Sequence, residues 1–334
     1  MPVRVDVLEG FDDRRFDRDA WEALHHRGRD ATVFTSWPCQ RAWWDAYPRE
    51  RLLLLVARRG AVPIALAPLF AEDGMAYFVG SGGSDYLDFV GDDRSPGTLA
   101  ALLAAARETI QGFRGFRFYH VPAESPTIES QQTVADHIGC RYDDEGTLPG
   151  AVLDLAGRKE AVIALTRKRS IRSAEKRLRT LGPLRVMHLR AAKDIEPQLD
   201  EFFAQHVARW AATPSPSAFL EPRHRTFFRR LTAIAAASGW LRFTRLECAE
   251  RAVAFHFGFS YRGRYLFYKP TFAVDLAACS PGQVLLRDVL LDAIEEGAER
   301  FDFGLGDEPY KSRFVTCSTI VRTVALYDDR RRPS

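Results

Sequence analysis

The chain has 334 residues, enough for two domains of ordinary size, and its 46% hydrophobic and 27% charged residues exclude a disordered or fibrous class. A formal net charge of +3 excludes a nucleic-acid argument from bulk charge; any such argument has to rest on local clustering. Met1 to Gly10 is charged, without the apolar centre of a leader, and runs such as Leu52 to Val56 are far too short to span a bilayer, so the sequence reads as cytoplasmic. Peripheral association with a membrane complex stays compatible with this reading. The five cysteines, Cys39, Cys140, Cys248, Cys279 and Cys317, are scattered with no CxxC pair, so neither a metal nor a disulfide framework is expected.

In chain order, Asp19 to His26 reads as a helix, and Ser36 to Tyr47 as a second one started by a Thr35/Ser36 cap. Leu52 to Arg58 and Val62 to Phe70 are strands about a turn at Gly60, and Met75 to Val79 is a strand entering the loop Gly80 to Ser84. Pro96 to Phe113 is a helix and Phe116 to Val121 a strand; a variable-looking stretch, Ala123 to Gly150, leads to the strand Ala151 to Leu155. The second half repeats this order. Ile163 to Leu181 reads as one helix with Ile171, Ala174, Leu178 and Leu181 as its apolar stripe, and Leu184 to Leu189 is a strand. Helices Ile195 to Ala212 and Pro222 to Ala237 precede the strands Leu241 to Cys248, Ala252 to Tyr261 and Arg264 to Tyr268, with a hairpin turn at Gly263. A helix Gln283 to Gly297 and strands Arg300 to Phe303 and Thr319 to Tyr327 complete the chain, before an arginine-rich tail, Arg330 to Pro333. The simplest account is two α/β units of similar design, 1–155 and 156–334, each a mixed, largely antiparallel sheet flanked by helices.

The chemistry concentrates between Ser280 and Lys311. Ser280 is a good N-cap, Pro281 fits the first helical position, and Gly282 and Gln283 present backbone N–H groups at a helix start, where the dipole favours a phosphate. An ordinary capped helix is the competing reading. After this helix come Phe301-Asp302-Phe303-Gly304-Leu305-Gly306-Asp307 and then Glu308-Pro309-Tyr310-Lys311.

The run from Ser280 to Phe314 resembles the signature of GNAT-type acyltransferases related to the CelD/BcsL proteins of cellulose biosynthesis clusters, and more loosely that of the FemAB peptidyltransferases. His206-Val-Ala-Arg209-Trp210 is similar to the family's H-x-x-R-W helix, Arg251 to Phe255 with Gly258-Phe259 to its central strand, and Ser84-Asp85-Tyr86 to its S-D-Y loop. Phe34-Thr-Ser36-Trp37 and the basic helix Arg167 to Leu178 agree with it too. The resemblance implies two tandem GNAT-like folds, with the acceptor on the side of 1–155 and the acyl donor bound by 156–334. It implies acyl-CoA, acetyl-CoA or longer, as co-substrate, held by Ser280, Pro281, Gly282 and Gln283; the usual R/Q-x-x-G-x-G/A loop is absent, so a carrier-protein thioester or an aminoacyl-tRNA stays open as donor.

Such a reaction needs a proton acceptor and donors for an oxyanion. The candidates are His206, on a helix with Phe202, Phe203 and Trp210; His256, which shares a strand face with Ala254 and Gly258; and Lys311 with Asp307 at the end of the run. Asp85, Tyr86, Trp210, Tyr268 and Tyr310 are the candidate contacts to a small-molecule or carbohydrate acceptor, such as a sugar, a polysaccharide precursor or an amine. The structural alternatives are a core role for both histidines and an ion pair of Lys311 with Asp307 or Glu308. Arg167, Lys168, Arg169, Arg172, Lys176, Arg177 and Arg179 meet a single acid, Glu175; they suit RNA, an anionic lipid surface, CoA phosphates or plain solvent.

Overall fold

The computed structural model describes residues 2–29, 31–47 and 49–329; the arginine-rich tail at 330–333 lies outside the described residues. In chain order the elements are β1 (Val3–Leu8), α1 (Arg18–Arg27), α2 (Trp37–Ala46), β2 (Arg51–Arg59), β3 (Val62–Glu72), β4 (Met75–Phe78), β5 (Val90–Gly91), α3 (Pro96–Thr109), β6 (Gly115–Pro122), α4 (Pro126–Ile138) and β7 (Cys140–Asp154). They continue with α5 (Lys159–Thr166), α6 (Arg169–Arg179), β8 (Leu184–Leu189), α7 (Ala192–Ile195), α8 (Leu199–Trp210), α9 (Pro222–Ala237), β9 (Leu241–Cys248), β10 (Arg251–Tyr261), β11 (Arg264–Phe272), α10 (Pro281–Glu295), β12 (Arg300–Leu305) and β13 (Cys317–Asp328). The chain divides into two compact units, Met1–Pro149 with Thr319–Ser334, and Gly150–Ser318.

Each unit is built on the same plan. In the first, β1 to β4 form an antiparallel run, β6 lies parallel to β4, and β13 pairs antiparallel with β6. In the second, β8 to β11 form the antiparallel run, β12 lies parallel to β11, and the end of β7, Gly150 to Asp154, pairs antiparallel with β12. A helix makes the crossover between the parallel strands each time: α3 in the first unit, α10 in the second. The last strand of the first unit's sheet thus comes from the far end of the chain.

Two stretches differ from their sequence reading. The stretch from Ala123 to Gly150, to which the sequence reading assigns no element, holds α4 and most of the long β7. Its signals are orthodox: Ser125 caps through its side chain, Pro126 starts the helix and Gly139 ends it in the left-handed region at φ 65°. The single helix expected over Ile163 to Leu181 is broken in two, because Lys168 takes an extended ψ of 146° between α5 and α6. The break gives α6 an N-terminus of its own.

In the second unit both faces of the sheet are covered, so β10 is buried along nearly its whole length. Phe202 of α8 and Phe228 of α9 pack on Phe257 of β10, while Val284, Val289 and Leu290 of α10 share the opposite core with Ala254, Tyr265 and Phe267. Burial of each such aromatic side chain contributes about 1.5–3 kcal/mol. Arg262 and Gly263, at φ 50° and 75°, make the tight β10–β11 hairpin, which sets the register Tyr261↔Arg264. None of the helices in the described residues is long and apolar enough to cross a membrane.

Candidate functional site

The parallel strands of the second unit do not stay together. β11 and β12 pair at Arg264↔Arg300, Tyr265↔Phe301 and Leu266↔Asp302, and then diverge although β11 runs on to Phe272 and β12 to Leu305. The turn away is built at Asp302. This fully buried carboxylate accepts the N–H of Gly304 at 2.8 Å and an Arg264 Nη1 bond at 3.2 Å, and Gly304 itself sits at φ 70°. The carbonyls of Gly304, Leu305 and Gly306, which a continued ladder would have used, turn instead to one ammonium. Lys311 Nζ donates to them at 3.4, 2.8 and 3.1 Å and lies 2.7 Å from a Glu308 carboxylate oxygen. Lys311 is 3% exposed.

Next to this splay lies a cavity of about 240 Å³. Phe267, Pro270, Thr271 and Phe272 of the diverging half of β11 form one side, and Tyr310, Arg313 and Phe314 come from the segment that Lys311 anchors. The starts of two helices open onto it: Ser280, Gly282 and Gln283 of α10, and Lys168 and Ser170 of α6. Each start brings the positive end of a helix dipole; at α10, where Pro281 has no N–H and the Gln283 N–H donates to the Ser280 carbonyl at 3.1 Å, the N–H of Gly282 is the one left to a ligand. Arg209 reaches in from α8. Its guanidinium donates to the Pro270 carbonyl at 2.7 Å and lies 4.6 Å above the Phe272 ring. Burial pulls the Arg209 pKa below its ordinary value, against the opposing pull of Tyr310 and Glu308. A guanidinium remains charged under such a pull, so this is a partly desolvated cation whose hydrogen bond goes to a neutral carbonyl, a setting that an anion improves. Burial raises the pKa of the Tyr310 phenol, with Glu308 adding to the rise and Arg209 opposing it, so the hydroxyl keeps its proton at neutral pH.

Of the residues expected from sequence, Ser280, Gly282, Gln283 and Tyr310 therefore meet at one cavity, and Pro281 is buried at the first position of α10. Ser280 is the N-terminal flank of α10 as read, but not by the expected means. It lies in the left-handed region, at φ 56° and ψ 51°, and its side chain caps nothing. Such a backbone costs a residue with a β-carbon about 1–2 kcal/mol, and strain of this kind collects at functional sites. Ser280→Gly is expected to gain roughly 1 kcal/mol in urea unfolding; a loss instead would mean that the hydroxyl holds something the backbone does not require.

The other candidates lie elsewhere. His206 packs between Phe202 and Trp210, bonds the Ser217 hydroxyl through Nδ1 at 2.8 Å, and has its pKa lowered to about 3 by burial, then by Lys269 and Arg209. His256 is fully buried between sheet and α10, stacked on Phe267 and Tyr265, and burial lowers its pKa to about 3. Neither lines the cavity, and desolvation has removed the basicity that a proton acceptor needs at neutral pH. Both are core histidines. Lys311 has its donors occupied by carbonyls and Glu308, so it fixes a turn; Asp307 is exposed, and the partner of Lys311 is Glu308. Tyr268 is buried against Phe228 and Phe259, and Trp210 is half-buried beside His206. In the first unit, Tyr86 is buried near Phe34 while Asp85 is half-buried. Their loop is tied down by the buried Asp88, which bonds Arg94 at 2.6 Å and both Ser125 and Thr127 at 2.5 Å. Among the described residues Glu22, His25 and His26 on α1 come close enough to share a metal ion, but Glu22 accepts the Trp37 N–H, and His25 Nε2 bonds the Thr32 carbonyl and Thr35 hydroxyl.

Sequence reasoning did not single out Arg209 and Arg313, whereas Lys168 stood among the basic residues that suit CoA phosphates. Arg209 lies three positions after His206 in the H-x-x-R-W run; the histidine packs in the core and the arginine faces the cavity.

Residues 166–312 match the family model described as acetyltransferase (GNAT) domain. The second unit carries a GNAT acyltransferase domain. No curated protein matches the chain in sequence. Among solved structures, the chain is similar to FemX at 9% identity, covering 94% of this chain and 97% of that one with a TM-score of 0.65. It is similar to a tandem GNAT protein from the clavulanic acid biosynthesis pathway at 12% identity, covering 99% of each chain with a TM-score of 0.57. The C-terminal domain of a putative lysylphosphatidylglycerol synthetase from Agrobacterium fabrum matches at 16% identity over 86% of this chain and 90% of that one, with a TM-score of 0.54. At these identities the likeness concerns the fold, and it extends the GNAT plan to both units. The cavity lies within the GNAT domain, where its two parallel strands part.

Proposed function

We propose that the GNAT domain binds acyl-CoA in this cavity and transfers the acyl group to an amine or hydroxyl of a sugar, a polysaccharide precursor or a small metabolite. The observation that carries the reading is the convergence of two helix N-termini with Arg209, Lys168 and Arg313 on one cavity beside an unpaired strand edge. The donors suit the phosphates of a nucleotide-linked thioester. The free edge of β11 suits the amide groups of its pantetheine arm, because N–H and C=O groups there lack a strand neighbour. Tyr310, protonated and at the cavity wall, is assigned to donate to the oxygen or sulfur that gains charge as the thioester is attacked. The carbohydrate acceptor follows the resemblance to the CelD/BcsL proteins.

Calorimetric titration with acetyl-CoA and longer acyl-CoAs tests the donor. Binding to the native protein is expected, weakened about 10- to 100-fold in Arg209→Ala, the loss appropriate to one charge-assisted hydrogen bond. A protein that ignores every acyl-CoA but retains charged tRNA would sink the reading.

A further inference from the structure

The cavity uses only the start of α6. From Arg167 to Leu181 the chain carries seven basic residues and one acidic, more positive charge than the whole protein's formal +3, so the rest of the molecule is net acidic. That single acid does not offset the cluster, because Glu175 bonds Arg179 on its own helix and Arg287 on α10. Arg167, Lys168, Arg169, Arg172, Lys176 and Arg177 are all exposed, and among the described residues none of the six forms an ion pair with a carboxylate. The opposite face of the helix, Ile171, Ala174 and Leu178, is buried in the core. The charged face is therefore rigidly presented and would gain or lose no helix on binding. Two exposed apolar side chains lie near the helix: Leu181, 50% exposed just past its end, and Val274, 50% exposed in the short turn that packs against α6.

We propose that this face docks the protein on an anionic phospholipid surface, with Arg169, Arg172, Lys176 and Arg177 against the headgroups and Leu181 at the interface. Charge complementarity carries the choice of partner, and composition separates it from single-stranded nucleic acid. Single-strand sites alternate cations with aromatic rings for base stacking, whereas 167–181 contains no aromatic residue and ends in an exposed leucine. Laterally mobile headgroups also accommodate any spacing of cations, including the i, i+3, i+7 stripe of Arg169, Arg172 and Lys176. Because Lys168 and Ser170 belong to the cavity wall, docking brings the cavity's rim close to the headgroups.

Co-sedimentation of the full chain with vesicles, measured without any acyl donor, tests docking separately from acyl transfer. Binding is expected to mixed phosphatidylcholine–phosphatidylglycerol vesicles and not to phosphatidylcholine alone, and to fall steeply with added salt. The combined variant Arg172→Glu, Lys176→Glu, Arg177→Glu lies outside the cavity wall and is expected to weaken binding by at least about a hundredfold, since each basic residue near such a surface contributes roughly fivefold. Arg172→Lys with Arg177→Lys, which keeps the charge, is expected to bind like the native protein. If the reversed variant folds poorly, the salt dependence and the lysine variant still decide. Native protein that ignores the anionic vesicles, reversed variants that bind them unchanged, or mixed tRNA that displaces the vesicles would each overturn the proposal, the last reassigning the face to nucleic acid.

Discussion

Lowering the pH from 7 to 5 is expected to cost the second unit about 6 kcal/mol of stability, enough to unfold a domain of ordinary stability. The cause is three histidines, His206, His224 and His256, at 7%, 3% and 0% exposure. Burial comes first in lowering each pKa from 6.5 to about 3, and for His206 and His224 the nearby charge of Lys269 adds to it. The sign follows from proton uptake. Between about pH 6.5 and pH 3 the unfolded chain holds a proton on each histidine that the folded chain does not, so folding is favoured above this window and is lost as the pH falls through it. Each histidine accounts for about 2 kcal/mol between pH 7 and 5. Urea unfolding at a series of pH values measures the slope. His224→Phe keeps a ring among Phe219, Phe227 and Phe228 and is expected to remove about a third of it. A slope that the substitution leaves intact would refute the assignment.

Replacing Lys311 by methionine is expected to destabilise the GNAT domain by about 3–5 kcal/mol and to weaken acyl-donor binding along with it. The methionine fills the space but leaves the buried carbonyl of Gly304 and the half-buried carbonyls of Leu305 and Gly306 without their donor, at about 1–3 kcal/mol for the buried one and less for the others. Relaxation has an obvious route: the freed carbonyls can be satisfied by drawing β12 back toward β11, which narrows the cavity and moves Tyr310 and Arg313. Two measurements distinguish this role from direct stabilisation of an oxyanion. A lysine that only holds the turn lowers the unfolding midpoint and donor affinity together. A lysine that acts on the reacting atoms lowers kcat while the unfolding midpoint stays put, and that result would reject the clamp.

Much of the fold was legible because its signals are local. β8, β9 and α9 run over the residues that alternation and helical spacing assign to them, since each presents an apolar pattern to a core. The break between α5 and α6 was not legible: no Gly or Pro marks it, and only the extended backbone at Lys168 separates the two helices. The long β7 was hidden because its first ten residues are mostly polar, and its partners are a strand from the far end of the chain and another more than 140 positions later. At the site, helix-start chemistry singled out Ser280, Gly282 and Gln283 without any knowledge of tertiary structure. The histidines misled, because sequence shows that a group can titrate but not that burial has suppressed it. Lys311 misled similarly: the carbonyls that occupy it become available only when two strands separate.

The return of β13 to the first unit has a consequence for synthesis. Its partner β6 ends at Pro122, and the strand that covers that edge starts near residue 319, beyond the entire second unit. At a ribosomal pace of 5–20 residues per second the edge of β6 waits roughly 10–40 s for its neighbour. The sheet of the first unit thus waits for its last strand, and until then β6, paired with β4 on one side, has its other edge open. The ion pair Arg107–Asp328, which joins α3 to the final residue of β13, can form only after residue 328 has left the ribosome, more than two hundred positions after its arginine.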